Sequence, residues 1–252
     1  MSSYNSSLTD SEWEGIKHLL DYKRKRTNDI RRIADALFYL VKTGCQWREL
    51  PREFAAWQTV RYYYDRWRRS GRLDRLVRRL RGVLRRRAKR RTAPSAALID
   101  AQSVKTSLVG GPARGFDGFK KVKGRKRHVV VDTLGLLVAV RVGPANEHET
   151  KAAPKLLGTM KKGMYRLRCI WADQGYRGGL VDAVETSFGW RLEIVKRAEK
   201  GFAAVPKRWV VERSFAWLEG YRRLSKDYER LPESSEAMIK LAMIRLMLHR
   251  IR

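Results

Sequence analysis

The sequence predicts an α/β protein in which an all-α amino-terminal part, residues 1–92, precedes a mixed-sheet domain, residues 93–252. Three observations predict this order. Apolar residues recur at helical spacing up to about residue 90, the stretch RTAPS then breaks the pattern, and short apolar runs rich in β-branched residues follow it. With 43% hydrophobic residues, the chain can build a sizeable core.

Helices are predicted throughout the amino-terminal part. Thr9-Asp10-Ser11-Glu12 is a capping-box pattern, which predicts a first helix to about residue 20. A second helix is predicted at 28–44, a short helical turn at 46–50, and a longer helix at 57–70. The last of these buries an aromatic stripe and leaves a polar face outside. That face carries Gln58, Arg61, Tyr62, Asp65, Arg66 and Arg68.

Positive charge is concentrated in a further helix. Residues 66–91 include 14 basic residues and one acid, Asp74, a net charge of 14 − 1 = +13. Leucine and valine recur there at helical spacing, so the other faces of this helix are almost wholly arginine. The predicted phosphate contacts on it are Arg78, Arg79, Arg85 and Arg86.

The whole chain has a formal net charge of +30, which calls for a polyanionic partner. Nucleic acid is the first candidate, and an anionic membrane surface is the alternative. The first residues lack a signal-peptide pattern, and no stretch approaches the roughly 18 apolar residues of a membrane span. We therefore expect a cytoplasmic, nucleoid-associated protein without a membrane partner.

The helical part fits a helix-turn-helix-like DNA-binding domain, because exposed Gln, Arg and Tyr side chains can reach base edges and phosphates. A small helical bundle with a solvated basic face explains the same pattern equally well. The arginine-rich helix favours DNA, since clustered positive charge releases counterions from phosphate.

Strands replace helices after residue 95. Strands are predicted at 96–104, 127–131, 136–142, 168–172 and 190–195, helices at 149–160 and 178–186, and a final helical region from about Pro206. Three strands in a meander followed by alternating helices and strands predict a mixed sheet. Residues 110–124, rich in Gly and Lys, are predicted to form a mobile basic loop.

Acidic side chains occur at positions where they could act together. Asp100 lies in the middle of the first predicted strand, and Asp173 directly follows the fourth. If these strands are neighbours, both carboxylates lie at one edge of the sheet, where open α/β sheets place ligands. Glu212 lies on a helix beside the apolar stripe that faces the sheet. Carboxylates in this number suit Mg²⁺ or Mn²⁺, and two such ions support cutting or joining of a phosphodiester backbone.

Each of these acids also has a purely structural interpretation. Asp100 could be a buried acid paired with Lys or Arg, and Asp173 could cap a turn. Glu212 could pair with Arg208 one helical turn earlier. Taken together, the three acids lie on a strand, at a strand end and on a helix that faces the sheet, and this arrangement favours a shared site.

Several sequence blocks follow one another along nearly the whole chain. They are TGCQWRELP, WQTVRYYYDRW, LIDAQSVKT, GRKRHVVVDTLGLL, PANEHE, WADQGYRG, RWVVERSFAWL and YRRLSKDYE. In this order they resemble the bacterial insertion-sequence transposases of the fifth insertion-sequence family. The resemblance implies a ribonuclease H-like catalytic domain with a DDE triad, two divalent metal ions, and cut-and-join chemistry at the ends of a mobile element.

The resemblance identifies Asp100, Asp173 and Glu212 as the three acids of the triad. It also identifies Arg208 as the arginine that precedes the glutamate in the family motif. A related fourth-family signature has Tyr ahead of that arginine and Lys beyond the Glu, where this chain has Val205 and Glu219. A phosphate contact would then come from another cation. The candidates are Arg213, Arg222 and Lys226.

Double-stranded DNA is the implied partner, both as terminal inverted repeats and as target. A homodimer is expected because joining two DNA ends generally needs two active sites. Two other functions stay open: a catalytically degenerate or non-enzymatic DNA-binding regulator, and a metal-dependent nuclease without strand transfer.

Overall fold

The computed structural model describes residues 4–20, 28–108, 110–195 and 209–251. The amino-terminal part is all-α, as predicted. Its helices are α1 (Asp10–Ile16), α2 (Ile30–Thr43), α3 (Trp57–Arg69) and α4 (Arg72–Arg87). Short 3₁₀ turns lie at Lys17–Leu19 and Trp47–Glu49.

Local sequence signals set the ends of these helices. The Thr9 side chain accepts a hydrogen bond from the Glu12 amide at 3.3 Å, and the Glu12 carboxylate accepts one from the Thr9 amide at 2.9 Å, which confirms the capping box. Helix α2 ends at Gly44, whose φ of 74° is left-handed. A Cβ there would also lie 3.1 Å from the Arg222 backbone, so glycine suits this helix end for two reasons.

A mixed sheet follows the helical part. Its strands are β1 (Ala96–Lys105), β2 (Gly115–Asp117), β3 (Val122–Asp132), β4 (Leu137–Pro144), β5 (Cys169–Ala172) and β6 (Arg191–Ile194). The order β4-β3-β1-β5-β6 runs across the sheet, and β2 pairs with the first residues of β3. The β2, β3, β4 and β1 pairings are antiparallel, whereas β1, β5 and β6 are parallel. The predicted mixed sheet is thus confirmed.

The segment predicted to be a mobile loop contains regular structure. Strand β2 lies within it, and β3 begins at Val122, five residues earlier than predicted. Gly115 pairs with Gly124, and a Cβ on Gly124 would lie 2.0 Å from the Val104 carbonyl of β1. The glycines that suggested a loop therefore permit close strand packing.

The remaining helices cover both faces of the sheet. They are α5 (Glu149–Met160), α6 (Leu180–Phe188), α7 (Trp209–Glu219) and α8 (Pro232–His249). Side chains alternate along β1, so Leu98 packs in one core with α7, α8 and the amino-terminal helices, and Ile99 packs in the other with α5 and α6. In the described residues, no helix has the length and apolar character needed to span a membrane.

The amino-terminal helices pack directly on α8. The Tyr64 hydroxyl of α3 donates to the Ser234 carbonyl at 2.7 Å, and Arg245 of α8 donates to Glu12 at 2.9 Å. The hydrophobic core runs without interruption from these helices to the sheet. Residues on both sides of the predicted boundary at residue 92 therefore build one core.

Candidate active site

Two of the predicted acids meet where β5 ends. Strand β1 pairs with β5 only up to Leu98 and then continues to Lys105, which leaves a notch beside the end of β5. Asp100 lies on β1 just past the last paired residue, and Asp173 directly follows β5. Both line one cleft of about 1190 Å³, and because β1 pairs with β5, the condition under which the two acids are expected to share a sheet edge is met. We call it the acidic cleft, because Asp100, Asp117, Glu149 and Asp173 line it.

Backbone amides fix both carboxylates. Asp100 Oδ1 accepts a hydrogen bond from the Ala101 amide at 2.7 Å, and Asp173 Oδ1 accepts one from Gly175 at 3.0 Å. Asp173 thereby caps the 3₁₀ turn Gln174–Tyr176, as its structural interpretation anticipated. A capping carboxylate keeps acceptor capacity for a ligand, so the cap and the position at the cleft are compatible.

The structure does not gather Glu212 with the two aspartates. Glu212 lies on α7 with an exposed side chain, although its neighbours Val211 and Phe215 face the cavities that Asp100 and Asp173 line. Across the described ranges, no three His, Cys, Asp or Glu side chains are placed to hold one metal ion. Arg208, the predicted partner on the preceding turn, lies outside the described residues.

Glu149 is an acid of the cleft that sequence reasoning missed. It occupies the first turn of α5 and accepts a hydrogen bond from Lys126 Nζ at 3.0 Å. A Cβ on Gly175 would lie 3.1 Å from Asp173 Oδ1 and 3.6 Å from Glu149 Cγ, so the two acids flank this glycine. Burial is the largest single influence on Glu149 and opposes its ionisation, but the Lys126 hydrogen bond, a backbone hydrogen bond and the charges of Lys126 and His128 together outweigh it and lower the pKa of the carboxyl. The available signal was the block PANEHE, which ends on this acid.

Tyr176 supplies a donor beside the acids. It is fully buried, and its hydroxyl has no hydrogen-bond partner within the described part of the chain. Burial, and then the charges of Asp100, Glu149 and Asp173, raise its pKa well above the ordinary value, so the hydroxyl keeps its proton. A buried hydroxyl without a partner is costly, and a bound water would satisfy it. Carboxylate oxygens next to a site for water fit a hydrated divalent cation.

His128 lies on β3 opposite Ala101 and is fully buried. Burial lowers its pKa from 6.5 to about 4, against the opposing charges of Glu149 and Glu147. Between these two values the unfolded chain binds a proton that the folded chain does not. Folding stability therefore rises with pH through this window and is lost as the pH falls.

We expect this histidine to cost the protein about 3 kcal/mol of stability between about pH 6.5 and pH 4. Urea unfolding of the wild type and of His128→Asn at pH 7.5, 6, 5 and 4.5 measures the effect, which the variant should lack. Replacement of exposed His249 by Asn is the matched control and should leave the pH dependence unchanged. Parallel pH profiles of wild type and His128→Asn would contradict the prediction.

The predicted DNA-binding side chains differ in exposure. Gln58, Tyr62, Arg78, Arg79 and Arg86 are exposed. Arg61, Arg66 and Arg68 are half-buried. Arg61 and Arg68 both contact Asp65, at 2.9 and 3.3 Å, and Arg66 lies 3.4 Å from the Tyr62 hydroxyl.

The prediction that Arg85 contacts phosphate is wrong. Its side chain is 4% exposed, and Nη1 donates to Asp132 Oδ2 at 2.7 Å. Its Nε donates to the Arg91 carbonyl at 2.7 Å. Arg85 lies on the face of α4 that packs on the β3–β4 turn, so it serves as the buried ion-pair partner of Asp132.

Comparison with known proteins agrees with the geometry. The family model "Transposase DDE domain" matches residues 91–247, and the model "Putative transposase of IS4/5 family" matches residues 8–77. The "Putative transposase for insertion sequence element IS402" of Burkholderia cepacia is 32% identical over 126 residues, 47% of this chain and 60% of that protein. The "Uncharacterized protein y4sN" of Sinorhizobium fredii is 34% identical over 75 residues, 28% of this chain and 59% of that protein. The chain thus spans about 60% of the length of the curated relatives it matches.

Two solved structures are more distant. The Mos1 strand transfer complex aligns with 14% identity and a TM-score of 0.33, covering 90% of this chain and 78% of that one. The Mos1 transposase paired-end complex aligns with 13% identity and a TM-score of 0.28, and the alignment covers 77% of this chain and 68% of that one. Scores this low do not establish a shared fold. The match over residues 91–247, on a mixed sheet with helices on both faces, identifies this part as a ribonuclease H-like domain, and the chain belongs to the family of DDE-domain transposases.

Proposed function

We propose that this protein is a DNA transposase that binds the ends of an insertion sequence, cuts the strand and joins it to target DNA. The observation that carries the proposal is the meeting of Asp100 and Asp173 at one cleft, inside the region that the transposase model matches. The proposed catalytic acids are Asp100, Asp173 and Glu212. Glu212 is exposed on α7, whose Val211 and Phe215 line the cavities that Asp100 and Asp173 also line, so in the active complex its carboxylate would turn toward the two aspartates to share their metal ions.

The family implies dependence on a divalent metal. We propose two Mg²⁺ or Mn²⁺ ions per active site, which when bound would activate an attacking hydroxyl and stabilise a leaving oxygen. Asp100 and Asp173 would hold them. The Tyr176 hydroxyl, which has no partner among the described residues, would donate a hydrogen bond to a water held beside the acids, and Lys126 fixes the Glu149 carboxylate beside Asp173.

The proposed partners are the terminal inverted repeats, target DNA and a second copy of this chain. A net charge of +30 supports a polyanionic partner. The exposed arginines of α4 concentrate part of this positive charge on one helix. The proposed location is the bacterial nucleoid. Among the proposed DNA-binding residues, Arg208 is assigned only by its place in the RWVVER block of the catalytic domain.

A joining assay tests the function directly. Labelled element ends are incubated with the protein and a supercoiled plasmid, in Mg²⁺ or in EDTA. Joined product that requires Mg²⁺ supports a transposase. Cut ends without joined product would identify a nuclease, and end binding without cleavage would identify a regulator.

We expect the triple variant Arg78→Gln, Arg79→Gln, Arg86→Gln to bind every DNA sequence more weakly. The slope of log affinity against log salt should become shallower by about 0.9 for each phosphate that the variant no longer neutralises. Fluorescence anisotropy on one duplex at several salt concentrations measures this slope. The control removes three charges from α5 and the following turn, with Lys151, Lys161 and Lys162 replaced by Gln. Equal slopes for the two triple variants would show that α4 does not face DNA.

A further inference from the structure

The β2–β3 hairpin carries aromatic side chains at the rim of the acidic cleft, Phe116 on β2 and Phe119 in the turn that follows. Phe119 is 95% exposed and Phe116 is 57% exposed, and both line the cleft with Asp100 and Asp173. Single exposed apolar residues are common on protein surfaces. Two phenylalanines at the mouth of a charged cleft are harder to attribute to chance, because leucine or a polar residue would serve a plain turn equally well.

Buried hydrogen bonds hold this turn in place. Asp117 is 7% exposed, and its Oδ1 accepts from the amides of Phe119 and Lys120 at 3.1 and 3.0 Å. Its other oxygen accepts from the Ser103 hydroxyl of β1 at 2.5 Å. The Lys120 ammonium donates to the Ala101 carbonyl at 3.1 Å. The turn is thus tied to β1 at the residue next to Asp100, so the backbone of Phe119 is held at a fixed place relative to that acid.

The surroundings indicate what the rings would contact. Lys121 and Lys123 are exposed on the same hairpin, which favours a polyanion over an apolar protein surface. Inside a DNA duplex the faces of the bases are covered by their neighbours, so away from the duplex ends an aromatic ring stacks on a base without prising base pairs apart only where that base has left the helix. Lysine next to exposed aromatic rings is the combination that binds single-stranded nucleic acid.

We propose that Phe119, assisted by Phe116, stacks on an unpaired base of the DNA strand that enters the acidic cleft, while Lys121 and Lys123 contact its backbone. This inference rests on the proposed function and adds to it a preference for DNA that is opened beside the cut. Removal of one stacking ring should weaken binding of an unpaired strand by about tenfold and leave binding of a closed duplex unchanged.

The test compares a blunt duplex with the same duplex carrying a three-nucleotide 3′ overhang, by anisotropy in EDTA, with the full chain. We expect Phe119→Ala to lose about tenfold in affinity for the overhang and nothing for the blunt duplex. Tyr165→Ala is the matched control, because Tyr165 is 78% exposed and lies away from the cleft; it should change neither affinity. Phe119→Trp should keep the preference, and the overhang should quench its added fluorescence, which a purely structural residue would not show.

Other outcomes separate the two proposals. If the double variant Phe116→Ala, Phe119→Ala binds both DNAs like the wild type, the stacking contact is refuted and the transposase function stands. Equal weakening for both DNAs would also refute it, since the turn would then contact closed duplex. A wild-type protein that binds neither DNA would overturn the proposed function and this inference together.

Discussion

Asp100→Asn should abolish metal-dependent cleavage and joining, with a rate loss of about a thousandfold or more, and leave DNA binding intact. The amide keeps the shape of the side chain and its acceptor for the Ala101 amide, but loses the charge that would hold a metal ion. Losing several kcal/mol of charge stabilisation corresponds to that rate factor. Single-turnover cleavage of labelled ends and anisotropy on the same DNA measure the two properties.

Asp182→Asn is the matched control for this variant. It makes the same chemical change on exposed α6, away from the acidic cleft, and should leave cleavage unchanged. Cleavage by Asp100→Asn at the wild-type rate would refute the site. Glu212 is the acid predicted from the sequence, and Glu149 is the acid that the structure places at the cleft. Cleavage assays of Glu212→Gln and Glu149→Gln, run in parallel, show which of the two is needed. We expect Glu212→Gln to lose cleavage as Asp100→Asn does, which would mean that the Glu212 carboxylate joins the two aspartates in the active complex.

Arg85→Met should lower the free energy of unfolding by about 3 kcal/mol and the melting temperature by about 10 °C. Asp132 is fully buried, and removal of its ion-pair partner at 2.7 Å leaves a charge that nearby Arg81 only partly offsets. Asp132 also accepts from the amides of Leu134 and Leu136 at 2.9 and 3.0 Å, so it must stay in place to form the β3–β4 turn. Urea and thermal unfolding measure the loss.

Arg86→Met provides the contrast, because Arg86 is the exposed neighbour on the same helix. It should change stability by less than about 0.5 kcal/mol. If Arg85→Met instead kept its stability and lost DNA affinity, Arg85 would be the phosphate contact that its sequence pattern suggested.

Much of the fold could be predicted because the signals are local. The capping box at Thr9 and the left-handed glycine at Gly44 each act within a few residues, and both mark helix ends as expected. A run of small and branched apolar residues marked β1, and the position of Asp173 after an apolar run placed it at a strand end. That β1 and β5 are neighbours, and so bring Asp100 and Asp173 together, is a condition of the predicted site, and the structure shows that they pair.

The features that the sequence did not predict depend instead on contacts between distant segments. Strand β2 has only three residues and few of the side chains typical of strands, and its partner strand stabilises it. Glu149 reaches the cleft because α5 starts beside the end of β5, which its own sequence does not indicate. Glu212 stands at the predicted place on its helix, yet the helix position leaves it exposed.

The sequence by itself determined the order of helices and strands and the excess of positive charge, because periodicity, capping and composition act over short distances along the chain. Only the tertiary structure decided which arginine of α4 is buried, which acids share the cleft and which aromatic rings stand at its rim. These properties depend on contacts between distant segments, as between Arg85 and Asp132, 47 residues apart. The free energy of burying a charge is set by such contacts, and the residue type alone does not specify them.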